Sequence, residues 1–172
     1  MRSRIKNKKG FSISEMLMVV MILSLIIVML GSGVMVVKNS YEKITLKAEA
    51  QTLLSTTITK VSDEFRFAKY VNADDNPKAA KFVSGNLGYE IWFKNDDGSS
   101  GMKGILICNN AGVSAQLLTD KTMTSRLTPS IEYQYDKDNR LFTATITIAT
   151  RDNDKFLEQE IKVKPINNRK ES

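Results

Sequence analysis

The sequence predicts an α+β protein: one long N-terminal α-helix, transmembrane in its first half and amphipathic in its second, packed on an antiparallel β-sheet. Residues 16–37 form an uncharged run of 22 residues, and roughly 20 are enough to cross a bilayer as a helix. Apolar side chains then recur at steps of three and four as far as residue 70, the spacing of one helix face. Short alternating segments separated by Asp-, Asn- and Gly-rich turns follow, and strands after one long helix are typical of the α+β class.

Composition narrows the classes of function. The 172 residues carry a formal net charge of +6, but five of the positive charges lie within the first ten residues, at Arg2, Arg4, Lys6, Lys8 and Lys9. The remaining residues hold 20 basic and 19 acidic side chains, without the dense basic patch that phosphate binding needs. The folded domain is therefore not predicted to bind nucleic acid.

The chain offers few groups for catalysis or metal binding. It contains no histidine and one cysteine, Cys108, so zinc, haem and Cys/His catalytic sites lack their usual ligands. Cys108 lies in an apolar run and is interpreted as a buried residue rather than a reactive thiol. Adjacent acids such as Asp96 and Asp97 are explained as turn residues. Trp92 is interpreted as a core residue, with a ligand surface as the alternative, and no enzymatic activity, cofactor or metal is predicted.

The apolar run favours insertion into a membrane. Thirteen of its residues are Leu, Ile or Val, and at about −0.3 to −0.6 kcal/mol each they contribute roughly −4 to −8 kcal/mol. Glu15, just before the run, costs at most about 2.5–3.5 kcal/mol and less near a helix end. The basic segment before the helix predicts a cytoplasmic N-terminus and an external C-terminal domain. The alternatives are a plain signal anchor and a conventional signal peptide cut near Gly31-Ser32-Gly33.

The start of the apolar run resembles the class III prepilin signal of type IV pilins and type II secretion pseudopilins, in Lys8-Lys9-Gly10-Phe11-Ser12-Ile13-Ser14-Glu15-Met16-Leu17. The resemblance implies that a membrane-embedded prepilin peptidase cuts between Gly10 and Phe11 on the cytoplasmic side and methylates the new N-terminus at Phe11. It implies four partners: other pilins or pseudopilins, the prepilin peptidase, an inner-membrane assembly platform and the lipid bilayer.

Two roles are open for Glu15. The resemblance implies that Glu15, the fifth residue of the mature chain, pairs with the positive N-terminus of a neighbouring Phe11 in the filament core. A carboxylate in so apolar a setting needs such a partner. Ser12 and Glu15 also have the Ser-x-x-Glu spacing of a capping box, and an acid in the first turn suits the helix dipole. Both roles can hold at different stages.

Two further features bear on the resemblance. Many major pilins have a proline near the end of the apolar segment, whereas this chain has Gly31-Ser32-Gly33. Glycine weakens a helix by about 1 kcal/mol relative to alanine, so one continuous helix and two helices broken at the glycines are both open. The run Phe65-Arg66-Phe67-Ala68 and the segment from residue 127 are similar to the larger minor pilins and J-type pseudopilins, which occupy filament tips.

The predicted elements follow the apolar run in order. One helix extends from about residue 12 to residue 70, with a core-facing stripe of Tyr41, Ile44, Ala48, Leu54, Ile58, Val61, Phe65 and Ala68. Residues 72–86 are predicted as a loop. Strands are predicted over residues 89–94 and 103–108 as a hairpin, then over 113–118, 131–135, 141–149 and 156–163. One face of strand 141–149 holds Phe142, Ala144, Ile146 and Ile148.

The predicted organisation is a cleaved leader (residues 1–10), a transmembrane or filament-core helix (11–37), an amphipathic helix (38–70), an antiparallel β domain (71–166) and a polar tail (167–172). The predicted function is that of a structural subunit, with a minor one favoured, of a type IV pilus or type II secretion pseudopilus. It would lie in the cytoplasmic membrane with its C-terminal domain outside, and in an extracellular or periplasmic filament after assembly. The alternative is a single-pass membrane-anchored external binding protein that does not polymerise. The sequence does not distinguish pili, competence and secretion systems.

Overall fold

A computed structural model describes residues 10, 12–72, 80–98, 102–119, 126–150 and 154–166. Phe11, the predicted leader apart from Gly10, and the predicted tail lie outside the described residues. The chain divides into two compact units, Met1–Thr45 and Leu46–Ser172.

The first element, α1, is one helix of 54 residues over Ile13–Arg66. It passes through Gly31 and Gly33 without a break, so the alternative of two helices is wrong. A Cβ added at either glycine meets nothing within 4 Å, and these glycines therefore create no close packing. The helical hydrogen bonds continue across both positions despite a propensity cost of about 1 kcal/mol per glycine.

The helix ends four residues before the predicted end at residue 70. Phe67 N–H still donates to Asp63 O at 3.1 Å, but Ala68 N–H turns to Phe65 O at 3.3 Å. The chain then enters a strand, β1 (Lys69–Asn72). The apolar periodicity continues to Ala68, which is buried, so the pattern alone does not show where helical geometry stops. Pairing with a strand further along the chain sets that boundary.

The core-facing stripe of α1 begins later than predicted. Tyr41 and Ile44 are 70% and 68% exposed, and Ala48 is also exposed, so these three assignments are wrong. Leu54 and Ile58 are partly buried against the core. The fully buried residues of α1 are Ala50, Leu53, Thr57, Val61 and Phe65. Their steps of three and four confirm a helix face packed on the rest of its unit.

Two antiparallel sheets follow, where the sequence analysis expected one. The further strands are β2 (Lys81–Val83), β3 (Glu90–Asp97), β4 (Lys103–Asn109), β5 (Ser114–Gln116), β6 (Leu127–Asp136), β7 (Leu141–Thr150) and β8 (Lys155–Val163). One sheet has the order β1-β2-β3-β4-β5 and the other the order β6-β7-β8. The α+β class with antiparallel pairing is confirmed.

The five-stranded sheet contains both a confirmed hairpin and a missed pair of strands. β3 and β4 pair from Ile91↔Asn109 to Asp97↔Lys103, which confirms the hairpin. The turn is shorter than predicted, because Asp96 and Asp97, assigned to the turn from the sequence, belong to β3. The predicted loop over residues 72–86 is wrong where β2 occupies Lys81–Val83. β2 has too few residues to show a period of two, and it exists because Phe82 pairs with Ile91 in β3.

The three-stranded sheet is a meander whose central strand matches the prediction. Phe142, Ala144, Ile146 and Ile148 of β7 are all buried, which confirms their shared inward face. β6 begins at Leu127 rather than at residue 131. Its first half was missed because it contains Pro129, and proline argues against a strand. Among the described strands, β6 is an edge strand paired only with β7, and proline is tolerated at such an edge.

Phe65 of α1 lies at the centre of the core of the second unit. Its ring stacks on Phe142 of β7, with centroids 4.2 Å apart and planes 7° from parallel. It also meets Phe82 at 5.6 Å and Phe93 and Tyr133 at 5.5 Å. One helical side chain thus contacts strands of both sheets. A smaller cluster holds Ala50, Leu53, Leu118, Leu127 and Ile148.

Side-chain hydrogen bonds of Asn95 and Tyr133 also connect the two sheets. Asn95 Nδ2 donates to Ile131 O and Ile131 N–H donates to Asn95 Oδ1, both at 2.9 Å. The Tyr133 hydroxyl donates to Ala80 O at 3.0 Å and accepts from Phe93 N–H at 3.2 Å. Burial raises the pKa of Tyr133 to about 12, because water no longer solvates the phenolate.

Candidate processing and assembly site

Gly10 precedes α1 in an open position. It is exposed, and a Cβ added to it meets nothing within 4 Å. Within the described residues, no packing contact therefore requires a glycine here. Phe11, the other side of the predicted cut, lies outside the described residues. The predicted cut falls just before the start of the helix at Ile13.

The Glu15 carboxylate caps the start of α1. Ser12 N–H donates to Glu15 Oε2 at 2.9 Å, and Ser12 O accepts from the N–H groups of Glu15 and Met16 at 3.0 and 3.1 Å. This is one half of the predicted capping box. The Ser12 hydroxyl instead lies 2.9 Å from the hydroxyl of Ser14. In the single chain, a carboxylate oxygen of Glu15 thus accepts a hydrogen bond from a backbone amide at the helix N-terminus.

Sequence reasoning named Gly10, Phe11 and Glu15 and missed Ser14. The structure brings Ser14 to the Ser12 hydroxyl, which therefore does not complete the capping box. Serine is a preferred residue at a helix N-cap, and Ser12 and Ser14 lie one residue apart at the start of α1. This spacing in the sequence already indicated that the two hydroxyls could compete for the same position.

The surface of α1 over residues 16–37 is apolar on all sides. Leu17, Val28 and Met29 are 64%, 71% and 69% exposed, and the other large apolar side chains of this stretch are exposed as well. Among the described residues, α1 is the one helix long and apolar enough to cross a membrane. A helix that is apolar all round is covered by lipid or by other helices.

Two serines within this apolar stretch have their hydroxyls satisfied by the helix itself. Ser24 Oγ donates to Met21 O at 2.8 Å, and Ser32 Oγ donates to Met29 O at 2.9 Å. Because both donors are used within the helix, neither needs water or a partner. The helix can therefore lie in an apolar medium at little cost for these groups.

The sequence from residue 5 to residue 31 matches a family model described as the prokaryotic N-terminal methylation motif. The chain carries a class III prepilin signal. This signal and the long apolar helix that follows it are consistent with a type IV pilin-like protein. The resemblance identified in the sequence is therefore confirmed. No curated protein and no solved structure matches the chain. The matched residues end within α1, so the match describes only the N-terminal part, and the roles of Gly10, Phe11 and Glu15 stay predictions.

Proposed function

We propose that this chain is a structural subunit, of the minor kind, of a type IV pilus or a type II secretion pseudopilus. It is held in the cytoplasmic membrane by one pass of α1, with the unit from Leu46 onward outside, and it later enters an extracellular or periplasmic filament. The proposal is carried by the apolar surface of α1, exposed on all sides within and directly after the matched motif. The proposed role is structural and uses no catalytic group or cofactor.

The apolar surface requires a covering at every stage. Before assembly lipid covers it, and in the filament the corresponding helices of other pilins or pseudopilins cover it. Lipid tails are about as apolar as leucine, so this exchange leaves the burial of apolar surface nearly unchanged. The preference for the filament must therefore come from packing and from the few polar groups of residues 13–37, among which Glu15 is the one charged side chain.

Glu15 links processing to assembly. Before cleavage the nitrogen of Phe11 belongs to an uncharged amide. Cleavage after Gly10 converts it to an amine that is positively charged at neutral pH. A carboxylate in a helix bundle needs a cation nearby, and the new amine of a neighbouring subunit provides one. The prepilin peptidase and the inner-membrane assembly platform thus act in sequence on the same few residues.

Mass spectrometry of the mature chain, expressed with its peptidase, tests the proposal. The expected N-terminus is Phe11 carrying one methyl group. Gly10→Val is expected to leave full-length protein in the membrane, because a branched side chain obstructs the peptidase while the open position tolerates it in the fold. Gly33→Val is the matched control: a Cβ at Gly33 also meets nothing within 4 Å, and processing is expected to be normal.

Three outcomes contradict the proposal in different ways. A mature chain that begins near Val34 indicates ordinary signal-peptide cleavage, and so does processing that Gly33→Val blocks. An uncut chain indicates a plain signal anchor. A chain that is cut and methylated but never recovered in sheared filaments or pseudopili is a membrane-anchored protein that does not polymerise, and the structural role is then wrong.

A further inference from the structure

The five-stranded sheet carries apolar residues on the face turned away from the Phe65 core. Ile91 and Phe93 of β3 belong to that core, so Trp92 between them points to the opposite face. Cys108 pairs with Trp92 across β3 and β4 and shares this face, yet it is only 5% exposed. An outward face of an antiparallel sheet is normally polar. Cys108 is buried as predicted, but outside the main core.

A cavity of about 340 Å³ lies over this face. Leu106, two residues before Cys108 and 3% exposed, forms its floor together with Cys108, and Trp92 and Met102 line it. Ser114 of β5 sits beside Cys108, with its Oγ 3.3 Å from the sulfur. Small side chains at these two positions leave room next to a large aromatic ring. The volume falls at the lower end of small-molecule sites, which span about 300–1,000 Å³.

The aromatic wall is held in place without a ligand. Lys81 Nζ lies 4.7 Å from the centroid of the Trp92 ring, a cation–π distance. The same ammonium donates to Asn110 Oδ1 at 3.4 Å, and Asn110 Nδ2 donates to the carboxylate of Glu90. The ring therefore has a defined orientation, and a ligand that stacks on it meets a prearranged surface.

Polar groups surround the apolar floor. Lys94 and Asp96 follow Trp92 at alternate positions of β3 and line the cavity, as do Ser114 and Asn109. One positive and one negative charge of this strand cancel, which disfavours a ligand with a net charge. An apolar floor and aromatic wall with hydrogen-bonding groups around them suit a molecule with a hydrocarbon face and a polar edge.

We propose that this cavity binds a neutral sugar ring. A hexopyranose presents C–H groups on its faces and hydroxyls around its edge, so it stacks one face on Trp92 while its hydroxyls reach Lys94, Asp96 and Ser114. The proposal is independent of the filament role, since it rests only on the outer face of β3, β4 and β5.

Fluorescence of Trp92, the single tryptophan of the chain, reports directly on this cavity. The full-length protein is purified in a detergent without a sugar headgroup, because maltosides and glucosides would compete. D-glucose, D-galactose, D-mannose and lactose are titrated as neutral probes, with glucose 6-phosphate and glucuronate as charged comparators. At least one neutral probe is expected to change the emission saturably in the millimolar range, and more strongly than either charged comparator.

Variants connect the signal to the cavity. Ser114→Phe fills the space beside Cys108 and is expected to abolish the saturable change. Lys94→Met removes one exposed donor at little risk to folding and is expected to weaken binding about tenfold, the effect of 1.4 kcal/mol. Thr145→Phe, on the outer face of the three-stranded sheet, is the matched control and is expected to bind as the parent does.

The proposal is overturned by any of three results. One is the absence of a saturable change with every neutral probe up to about 100 mM, a hundredfold above a 1 mM Kd. Another is binding that survives both Ser114→Phe and Lys94→Met. The third is tighter binding of glucose 6-phosphate or glucuronate than of the neutral sugars. Circular dichroism of each variant establishes whether it folds. If Ser114→Phe does not fold, Lys94→Met alone tests the proposal.

Discussion

Replacing Glu15 by glutamine separates the two roles of its side chain. In the structure, one carboxylate oxygen accepts from Ser12 N–H at 2.9 Å. The amide oxygen of glutamine accepts the same hydrogen bond, so Glu15→Gln keeps the cap but removes the charge. Glu15→Ala removes both. Ser12→Ala leaves the backbone donor in place and removes only a hydroxyl that pairs with Ser14, so it does not test the cap.

The two roles differ in expected size. Loss of a capping interaction costs about 0.5–2 kcal/mol of helix stability. Loss of one partner from a buried ion pair costs about 3–5 kcal/mol, which is more than a hundredfold in an assembly equilibrium at 1.4 kcal/mol per factor of ten. We therefore expect Glu15→Gln to insert and fold as the parent does, because removal of a charge eases insertion, and to lose most of its incorporation into filaments.

The assay compares the sheared-filament fraction of each variant with its abundance in the membrane. Glu15→Gln and Glu15→Ala are expected to be equally defective in filaments and normal in the membrane, with Ser12→Ala close to the parent. If Glu15→Gln enters filaments at the parental level while Glu15→Ala is mildly impaired, the cap is the whole role of Glu15. The pairing with a neighbouring Phe11 is then refuted.

Three further predictions concern the core of the second unit. Phe65→Ala should lower the free energy of unfolding by about 3–5 kcal/mol in denaturant titrations, because it empties the centre of the aromatic cluster; a loss below 1 kcal/mol would contradict that centre. Asn95→Ala should cost about 1–3 kcal/mol by leaving the Ile131 amide and carbonyl unpaired, and an unchanged melting temperature would show that water replaces the amide. Tyr133 has a folded pKa of about 12 against about 10 unfolded, so its ionisation opposes folding, and stability is at its full value below pH 10. About 2–3 kcal/mol of stability should be lost as pH rises from 10 through 12, and Tyr133→Phe should flatten that part of the stability profile.

Local patterns predicted much of this fold. The continuous helix, the hairpin of β3 and β4 and the inward face of β7 each depend on periodicity within one segment, and neighbours in sequence carry that signal. Ser12 and Glu15 were paired correctly for the same reason, since they are only three positions apart in the sequence. The partner of the Ser12 hydroxyl was missed. Two serines at a helix start indicate that they compete for capping positions, but Ser14 and the helix amides lie at similar distances, and only the folded geometry decides which of them the hydroxyl contacts.

The sequence by itself determined that this chain has a prepilin-type signal, an apolar membrane-length helix and an α+β organisation, because charge, run length and period are properties of adjacent residues. The tertiary structure alone decided that α1 stops at Arg66, that its buried face begins only at Ala50, and that the strands form two sheets. Those outcomes depend on pairings between distant residues, as Phe82 with Ile91 and Phe65 with Phe142 show. The outward face of Trp92 is of the same kind: alternation places it opposite Phe93, but only packing around Phe65 decides which side becomes the core.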